Sequence, residues 1–400
     1  MRASTHIALI AVVAVAVRVA AGVWWKAWET PGGGEFGTIA ANLLAGDGYT
    51  RGAFSYLSPT AARTPAYPLL LAGLMKLLGL PWAWMAALLL NAAAGAALAV
   101  LATRTALRSN AATNDADDQH SRVAPQRGYL VGYALALWPT QVAAATYCQP
   151  GVLAATALVA MLALPRTDWL WSAVAAFLEP VLLPAVIFAG IIIRRRDPAR
   201  LALIFAALLA VFVPWTLRNA ISVGVFAPTT TTLWADAWAG NHDDATGSVG
   251  GDVGGSLADR ADRPTRFDTL PPAKRAALTG KPEGQRTQLL RGWTLEWIAE
   301  NPADYARLAA VRLAKTLWLD WDDARARHPA VLVTRTAWLG LVIAAIAIAC
   351  QRRVDVWPML AVMGGAVLIP MLTLAQMREV LVWEPVGLIT CAVALAGAKR

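Results

Sequence analysis

The sequence predicts an all-α polytopic membrane protein, a bundle of about 9–11 transmembrane helices with further helices lying beside the membrane. Of its 400 residues, 57% are hydrophobic and only 15% charged, where soluble domains carry about 25% charged residues. Mean hydropathy is +0.48. Apolar runs approaching the ~20 residues needed to cross a bilayer recur along the chain. Lipid offers the backbone no hydrogen-bond partner, so such runs must be helical.

Taken in order, the first run is THIALIAVVAVAVRVAAGVWWKAW. It is too long for a signal-peptide core and has no clear small-residue cleavage site before its tryptophans. It is expected to remain as the first helix, with Trp24, Trp25 and Trp28 anchoring its outer end. Further apolar runs fall near 66–80, 83–103, 128–147, 150–164, 169–193, 199–217, 329–350, 356–376 and 380–398. Polar stretches at 28–65 and 218–328 interrupt them. The chain thus divides into a membrane region over 1–217 with its first loop at 28–65, a loop region over 218–328, and closing membrane helices over 329–400.

Within the first stretch, TIAANLLAGDGY reads as a short helix, apolar at Ile39, Leu43 and Leu44 and closed by Gly46. Within the second, SVGGDVGGSLADRAD (248–262) has Gly and Asp without periodicity and reads as a flexible loop. Residues 285–321 instead repeat apolar positions at helical spacing, with a break at Asn301-Pro302. Amphipathic helices rich in Trp and Arg tend to lie in the membrane interface. No internal repeat is evident, which argues against inverted-repeat transporters.

Net charge is +9, and basic residues cluster at segment ends: Arg194-Arg195-Arg196, Arg352-Arg353 and Lys399-Arg400. This is the positive-inside pattern, and it places both polar stretches outside, on one face. One loop disagrees. Counting every run as a full span puts 104–127 outside, although it carries Arg104, Arg108, Arg122 and Arg127. Either 66–80 is re-entrant or one segment between 128 and 193 is not a full span. The basic clusters suit anionic lipid headgroups, and no soluble domain interleaves them with aromatics, which argues against nucleic acid. Cys148, Cys350 and Cys391 lie in or beside apolar runs without CxxC spacing, so neither a disulfide framework nor a zinc site is expected.

Several polar residues stand where chemistry needs them. Glu35 follows three glycines at the start of the first-loop helix; it is a candidate catalytic carboxylate, and equally a first-turn acid favoured by the helix dipole. Arg63, just before Thr64-Pro65, suits a lipid phosphate through its bidentate fork; a snorkelling arginine fits the same position. Arg218-Asn219 end a run on the outer side. Asn241, His242, Asp243 and Asp244 form a polar turn; a lone His beside acids reads as a hydrated turn ahead of a metal site, so no cofactor is required and a divalent metal stays open. Glu179 interrupts an apolar run, and intramembrane acids are functional candidates; the Pro180 that follows suggests a helix break, which would instead let Glu179 reach the interface. Arg378, Glu379 and Glu384 mark the outer end of the last run, where an Arg378–Glu379 ion pair is the plainest reading.

Taken together these stretches resemble the bacterial GT-C glycosyltransferases related to protein O-mannosyltransferases and the lipid A aminoarabinose transferase. EFGTIAANLLAGDGY looks like that family's first-loop helix, and SPTAARTPAYPLLLAGLMKLLG like its proline-flanked basic entry to the next segment. PWTLRNAISVGVFAPTTT with WAGNHDDATG resembles a PW-x-x-RN stretch followed by a GNN-x-x-ATG turn. ENPADYARLAAVRLAKTLW and MREVLVWEPVGLITCAVAL are similar to its amphipathic outer helix and its closing segment. The chain departs from the family where an acid is usual, at Gly32, where a basic residue is usual, at Glu179, and at Gln149-Pro150.

The resemblance implies a GT-C-like helical bundle in a bacterial plasma (inner) membrane, with its active site on the extracytoplasmic face. It implies an inverting enzyme that moves a sugar from a polyprenyl-phosphate donor to a hydroxyl of a protein, a glycolipid or a wall polymer. Such transfer needs a base, worth about 10²–10⁴-fold, and cations to receive the leaving phosphate. On this reading Glu35 is the base with Asp47 second, Arg63, Arg218 and Arg378 meet lipid phosphate, and Asn241 shapes the pocket. The alternatives are a non-catalytic scaffold that keeps lipid-phosphate binding, and a lipid or sugar transporter.

Overall fold

The computed structural model describes residues 3–29, 33–113, 124–248, 267, 269–323, 326 and 328–396. Among these residues it is an all-α bundle with one small sheet, a hairpin. Helix α1 runs Ala3–Trp24, followed by α2 (Gly34–Ala45) and the antiparallel strands β1 (Thr50–Ala53) and β2 (Tyr56–Pro59). Then come α3 (Ala66–Leu78), α4 (Leu80–Thr113), α5 (Ala124–Leu137), α6 (Pro139–Ala144), α7 (Gly151–Ala163) and α8 (Asp168–Leu178). A 3₁₀ turn at Pro180–Leu182 leads into α9 (Leu183–Arg194) and α10 (Pro198–Ser222). The second polar stretch supplies α11 (Thr232–Ala239), α12 (Pro272–Leu278), α13 (Glu283–Glu300) and α14 (Pro302–Leu317). Helices α15 (Pro329–Arg352), α16 (Trp357–Leu372) and α17 (Met377–Ala396) close the bundle.

Proline sets many of the starts. It stands in the first turn of α6, α9, α10, α12, α14, α15 and α16, where its missing N–H costs nothing and its fixed φ suits a helix. Among the described residues four helices are long and apolar enough to cross a membrane: Ala3–Trp24, Leu80–Arg108, Pro198–Ser222 and Pro329–Arg352. At 1.5 Å per residue, α1 spans about 33 Å. Seven shorter apolar helices fill in around them. The apolar run 169–193 is not one span. Glu179-Pro180 divides it into α8 and α9, because Pro180 cannot donate to the α8 ladder. The run 66–80 likewise yields only the 13 residues of α3. In contrast α4 continues past 103 to Thr113, carrying helix into the basic loop. Residues 114–123 and most of 248–262 lie outside the described residues.

Small residues let the helices approach closely. A Cβ on Gly365 of α16 would fall 2.4 Å from the Ala185 Cα of α9, so that crossing admits only glycine. Gly365→Val is expected to lower stability by roughly 1–3 kcal/mol, read as an earlier unfolding midpoint of the detergent-solubilised protein.

Two buried arginines in the bundle answer specific needs. Arg18 of α1 donates to the carbonyls of Leu135 and Ala136 at 3.1 and 2.9 Å. These belong to the end of α5, where Trp138-Pro139 stops the helix and leaves carbonyls without intrahelical partners. Gly95 opposite has no Cβ to obstruct the guanidinium. Arg335 of α15 pairs with Glu384 of α17 at 3.1 Å, both fully buried. Thr140 and Gln141 of α6 donate to the other Glu384 oxygen at 2.6 and 3.1 Å. The indole of Trp338 donates to the Glu384 carbonyl at 2.9 Å. Glu384 is therefore a core residue joining three helices, with no place at a surface end.

The two polar stretches meet at one end of the bundle. The Gly280 amide donates to the Phe54 carbonyl of the hairpin turn at 3.1 Å, and Arg286 donates to the Ala53 carbonyl at 2.6 Å. Asn301 separates α13 from α14, as the Asn-Pro pair predicts.

Candidate functional site

The site begins with the glycines. Gly34 opens α2 at φ +46, a left-handed conformation that side chains rarely adopt. Gly33 and Gly37 give way to the indole of Trp84, which a Cβ on either would meet at 2.8 or 2.7 Å. Trp84 thereby seats α2 against α4, with Glu35 in the first turn of α2. Gly46 closes that helix in the left-handed region, its amide turned back to the carbonyls of Asn42 and Leu43.

Glu35 is bridged by two arginines. Arg63 donates through Nε to Glu35 Oε2 at 2.7 Å, and Arg51 of β1 pairs with Oε1. The Arg63 guanidinium also lies over the Phe36 ring, 5.0 Å from its centroid, and Phe36 packs edge-on against Tyr67. The backbone of Arg63 is fixed in turn. Its carbonyl accepts from Tyr49 Oη at 2.8 Å.

Arg63 faces a cleft of about 150 Å³, the size of a cavity that holds one small ring or headgroup. Its walls are the helix break at Glu179 and Pro180, the loop carrying Thr229 and Thr230, Thr232 and Asp236 of α11, and the end of α16 at Ile369 and Thr373. Burial works against the Arg63 charge, and the carboxylates of Glu35, Glu179 and Asp236 outweigh it, so its pKa lies above the ordinary arginine value. Gln376 donates to Asp236 at 3.3 Å. The arrangement supplies a held guanidinium, two carboxylates in the cleft wall and several hydroxyls: donors for a phosphate, acceptors for sugar or acceptor hydroxyls.

The residues expected from sequence do not all converge here. Glu35 orients Arg63 and does not itself line the cleft. Asp47 is exposed on the turn that closes α2. Arg218 is committed to backbone: it donates to the carbonyls of Thr60 and Tyr49 at 2.5 and 3.1 Å and stacks on Tyr49 and Trp215. It braces the base of the hairpin on both sides, at Tyr49 just before β1 and at Thr60 just after β2, where the chain leads on to Arg63. Asn241 is fully buried beneath α14, donating to the Ala237 carbonyl at 2.6 Å and accepting from Arg312 at 3.0 Å. It is a turn clamp away from the cleft lining. Arg378 falls in α17, but its side chain lies outside the described residues.

His242 stacks on Trp238, and Asp243 accepts from the Trp297 indole at 2.8 Å. Burial pulls the His242 pKa below the usual imidazole value against the pull of Asp244 and Asp243. Among the described residues no group of three His, Cys, Asp or Glu side chains is placed to hold a metal. Beneath this turn, Lys315 donates to the Thr246 carbonyl and to Ser248 Oγ, both at 2.8 Å, and pairs with Asp322, which closes the end of α14.

Sequence reasoning missed Arg51 and Asp236. Arg51 sits in a four-residue strand, too short for a periodic signal. Asp236 looks like the polar face of an ordinary short helix. Of the two acids in the cleft wall, Glu179 alone announced itself, as an acid within an apolar run.

No family model matches the sequence, and comparison with curated proteins finds no match. Among solved structures, a similar chain is that of ArnT from Cupriavidus metallidurans bound to undecaprenyl phosphate. It is 18% identical with a TM-score of 0.39, and the likeness covers 99% of this chain and 77% of that one. At that degree of superposition no residue role and no ligand passes from one to the other.

Proposed function

We propose that this chain is a membrane glycosyltransferase that moves a sugar, with inversion, from a polyprenyl-phosphate donor to an acceptor hydroxyl on the extracytoplasmic side of a bacterial inner membrane. The observation that carries the reading is Arg63. It is a guanidinium anchored by Glu35 and stacked on Phe36, facing a small cleft whose wall also carries Glu179 and Asp236. A guanidinium has five N–H donors, so the Nε bond to Glu35 orients the fork without exhausting it. In the reaction Arg63 meets the donor phosphate and stabilises the charge that grows on it as the sugar leaves. A carboxylate takes the acceptor proton. Asp236, seated on α11, is better held for that role than Glu179, which sits in a helix break. Protein hydroxyls, glycolipids and wall polymers all present the required acceptor group.

The test is sugar release from a labelled polyprenyl-phosphate hexose by the purified protein in nanodiscs. Asp236→Asn is expected to lower turnover by about 10²–10⁴-fold with donor binding kept. Glu35→Gln is expected to raise KM more than it lowers kcat, because it loosens Arg63 rather than removing the base. A second reading, a binding scaffold without catalysis, is favoured by the two arginines that already occupy Glu35. Wild type that binds lipid phosphate but releases no sugar, across several donors and acceptors, would establish that reading instead.

A further inference from the structure

We infer that Glu283, more than two hundred residues from Arg63 in sequence, is the positioning residue that sets both walls of the cleft for a lipid phosphate; the role rests on the reading of the cleft given above. Glu283 stands in the first turn of α13 and is 6% exposed. Its carboxylate accepts from Thr60 Oγ1 at 2.6 Å, from the Ala61 amide at 2.7 Å and from Thr231 Oγ1 at 2.6 Å. Thr60 and Ala61 lead directly into Arg63 and Thr64 on one wall. Thr231 lies between Thr230 and Thr232 on the other, and its amide donates to the Ala61 carbonyl at 3.0 Å. One carboxylate is thus the node where the arginine loop and the threonine loop join.

The node is itself held. A Cβ on Gly284 would come within 2.2 Å of the Val223 carbonyl, so the helix end is pressed against the α10 exit. One turn on, Arg286 grips the Ala53 carbonyl of the hairpin that carries Arg51. The first turn of α13 therefore fixes the backbone beneath both arginines that meet Glu35. Hydrogen bonds to a charged acceptor are about twice as strong as neutral ones, and a displacement of ~1 Å at a binding group is enough to cost on the order of 10²-fold in function.

The experiment measures the dissociation constant of undecaprenyl phosphate for folded protein in nanodiscs, comparing wild type, Glu283→Gln and the pair Thr60→Val/Thr231→Val. A loss of stability alone reduces the amount of folded protein, and leaves the constant of the folded fraction where it was. Both variants are expected to bind about tenfold or more weakly. If Glu283→Gln does not fold, the threonine pair carries the test by removing the donors from the other side. Wild-type affinity in the variants would overturn the positioning role and leave the function standing. Failure of wild type to bind the lipid phosphate would overturn both.

Discussion

Arg63→Ala is expected to weaken undecaprenyl phosphate binding by roughly 30- to 4,000-fold, since truncating one member of a buried charged pair costs about 2–5 kcal/mol and each 1.4 kcal/mol is tenfold. The direction has two causes. The guanidinium proposed to meet phosphate is gone, and Glu35, Glu179 and Asp236 are left without the cation they surround, so the cleft now repels an anion. Arg63→Lys separates these causes. It restores the charge but neither the planar fork nor the stacking on Phe36, and an intermediate affinity is expected. Titration of the lipid phosphate into nanodisc-held protein, with unfolding midpoints as a control, reads both variants. Unchanged affinity in Arg63→Ala would mean that phosphate does not meet the protein in this cleft.

The largest loss of stability is expected at the Arg335–Glu384 pair. Glu384→Ala leaves Arg335, fully buried, without its counter-charge, and breaking such a pair costs about 3–5 kcal/mol. The carbonyls of Trp318, Leu317 and Thr316 remain as Arg335 acceptors at 2.8, 3.0 and 3.4 Å, but they carry no compensating charge. Thr140 and Gln141 lose their acceptor as well. The double change Arg335→Met/Glu384→Leu removes both charges and is expected to recover much of the loss, because a buried ion pair is often matched by apolar packing. A double-mutant cycle on denaturant unfolding measures the coupling. Near-additive losses would show that the two residues act on stability separately.

Hydropathy made the long helices legible because α1, α4, α10 and α15 bring enough apolar length to cross a bilayer unaided. It misread 169–193 because a hydropathy window averages over the Glu179-Pro180 break, which the backbone cannot. In the first loop, Gly46 gave α2 its end, but the apolar spacing misplaced its face: Leu44 is exposed, and Phe36, Gly37, Ile39 and Ala40 are the buried positions. The partners of Glu35 were hidden for a different reason. Arg51 and Arg63 reach it from a hairpin and a loop whose positions depend on Glu283 and Arg218, residues remote in sequence. Arg218 carried a visible signal, a charge at the end of an apolar run, but the same signal fits an arginine that binds phosphate and one that braces carbonyls. Arg18 and Arg335 are charges inside apolar runs that sequence reasoning passed over. Their partners lay in helices that no local pattern connects to them.

Arg18 also bears on how the chain is made. Its acceptors at Leu135 and Ala136 are synthesised 117 and 118 residues after it. When α1 first enters the bilayer, it carries a charge that costs about 2.5–3.5 kcal/mol at a helix centre on translocon scales. The segment is apolar enough to enter regardless, its mean hydropathy reaching 2.4 even with Arg18 counted. Until α5 arrives the guanidinium is a transient liability during insertion, and the docking of α5 relieves it. The first helix thus enters the membrane before the partner that satisfies its charge exists, which ties completion of the N-terminal bundle to the order of translation.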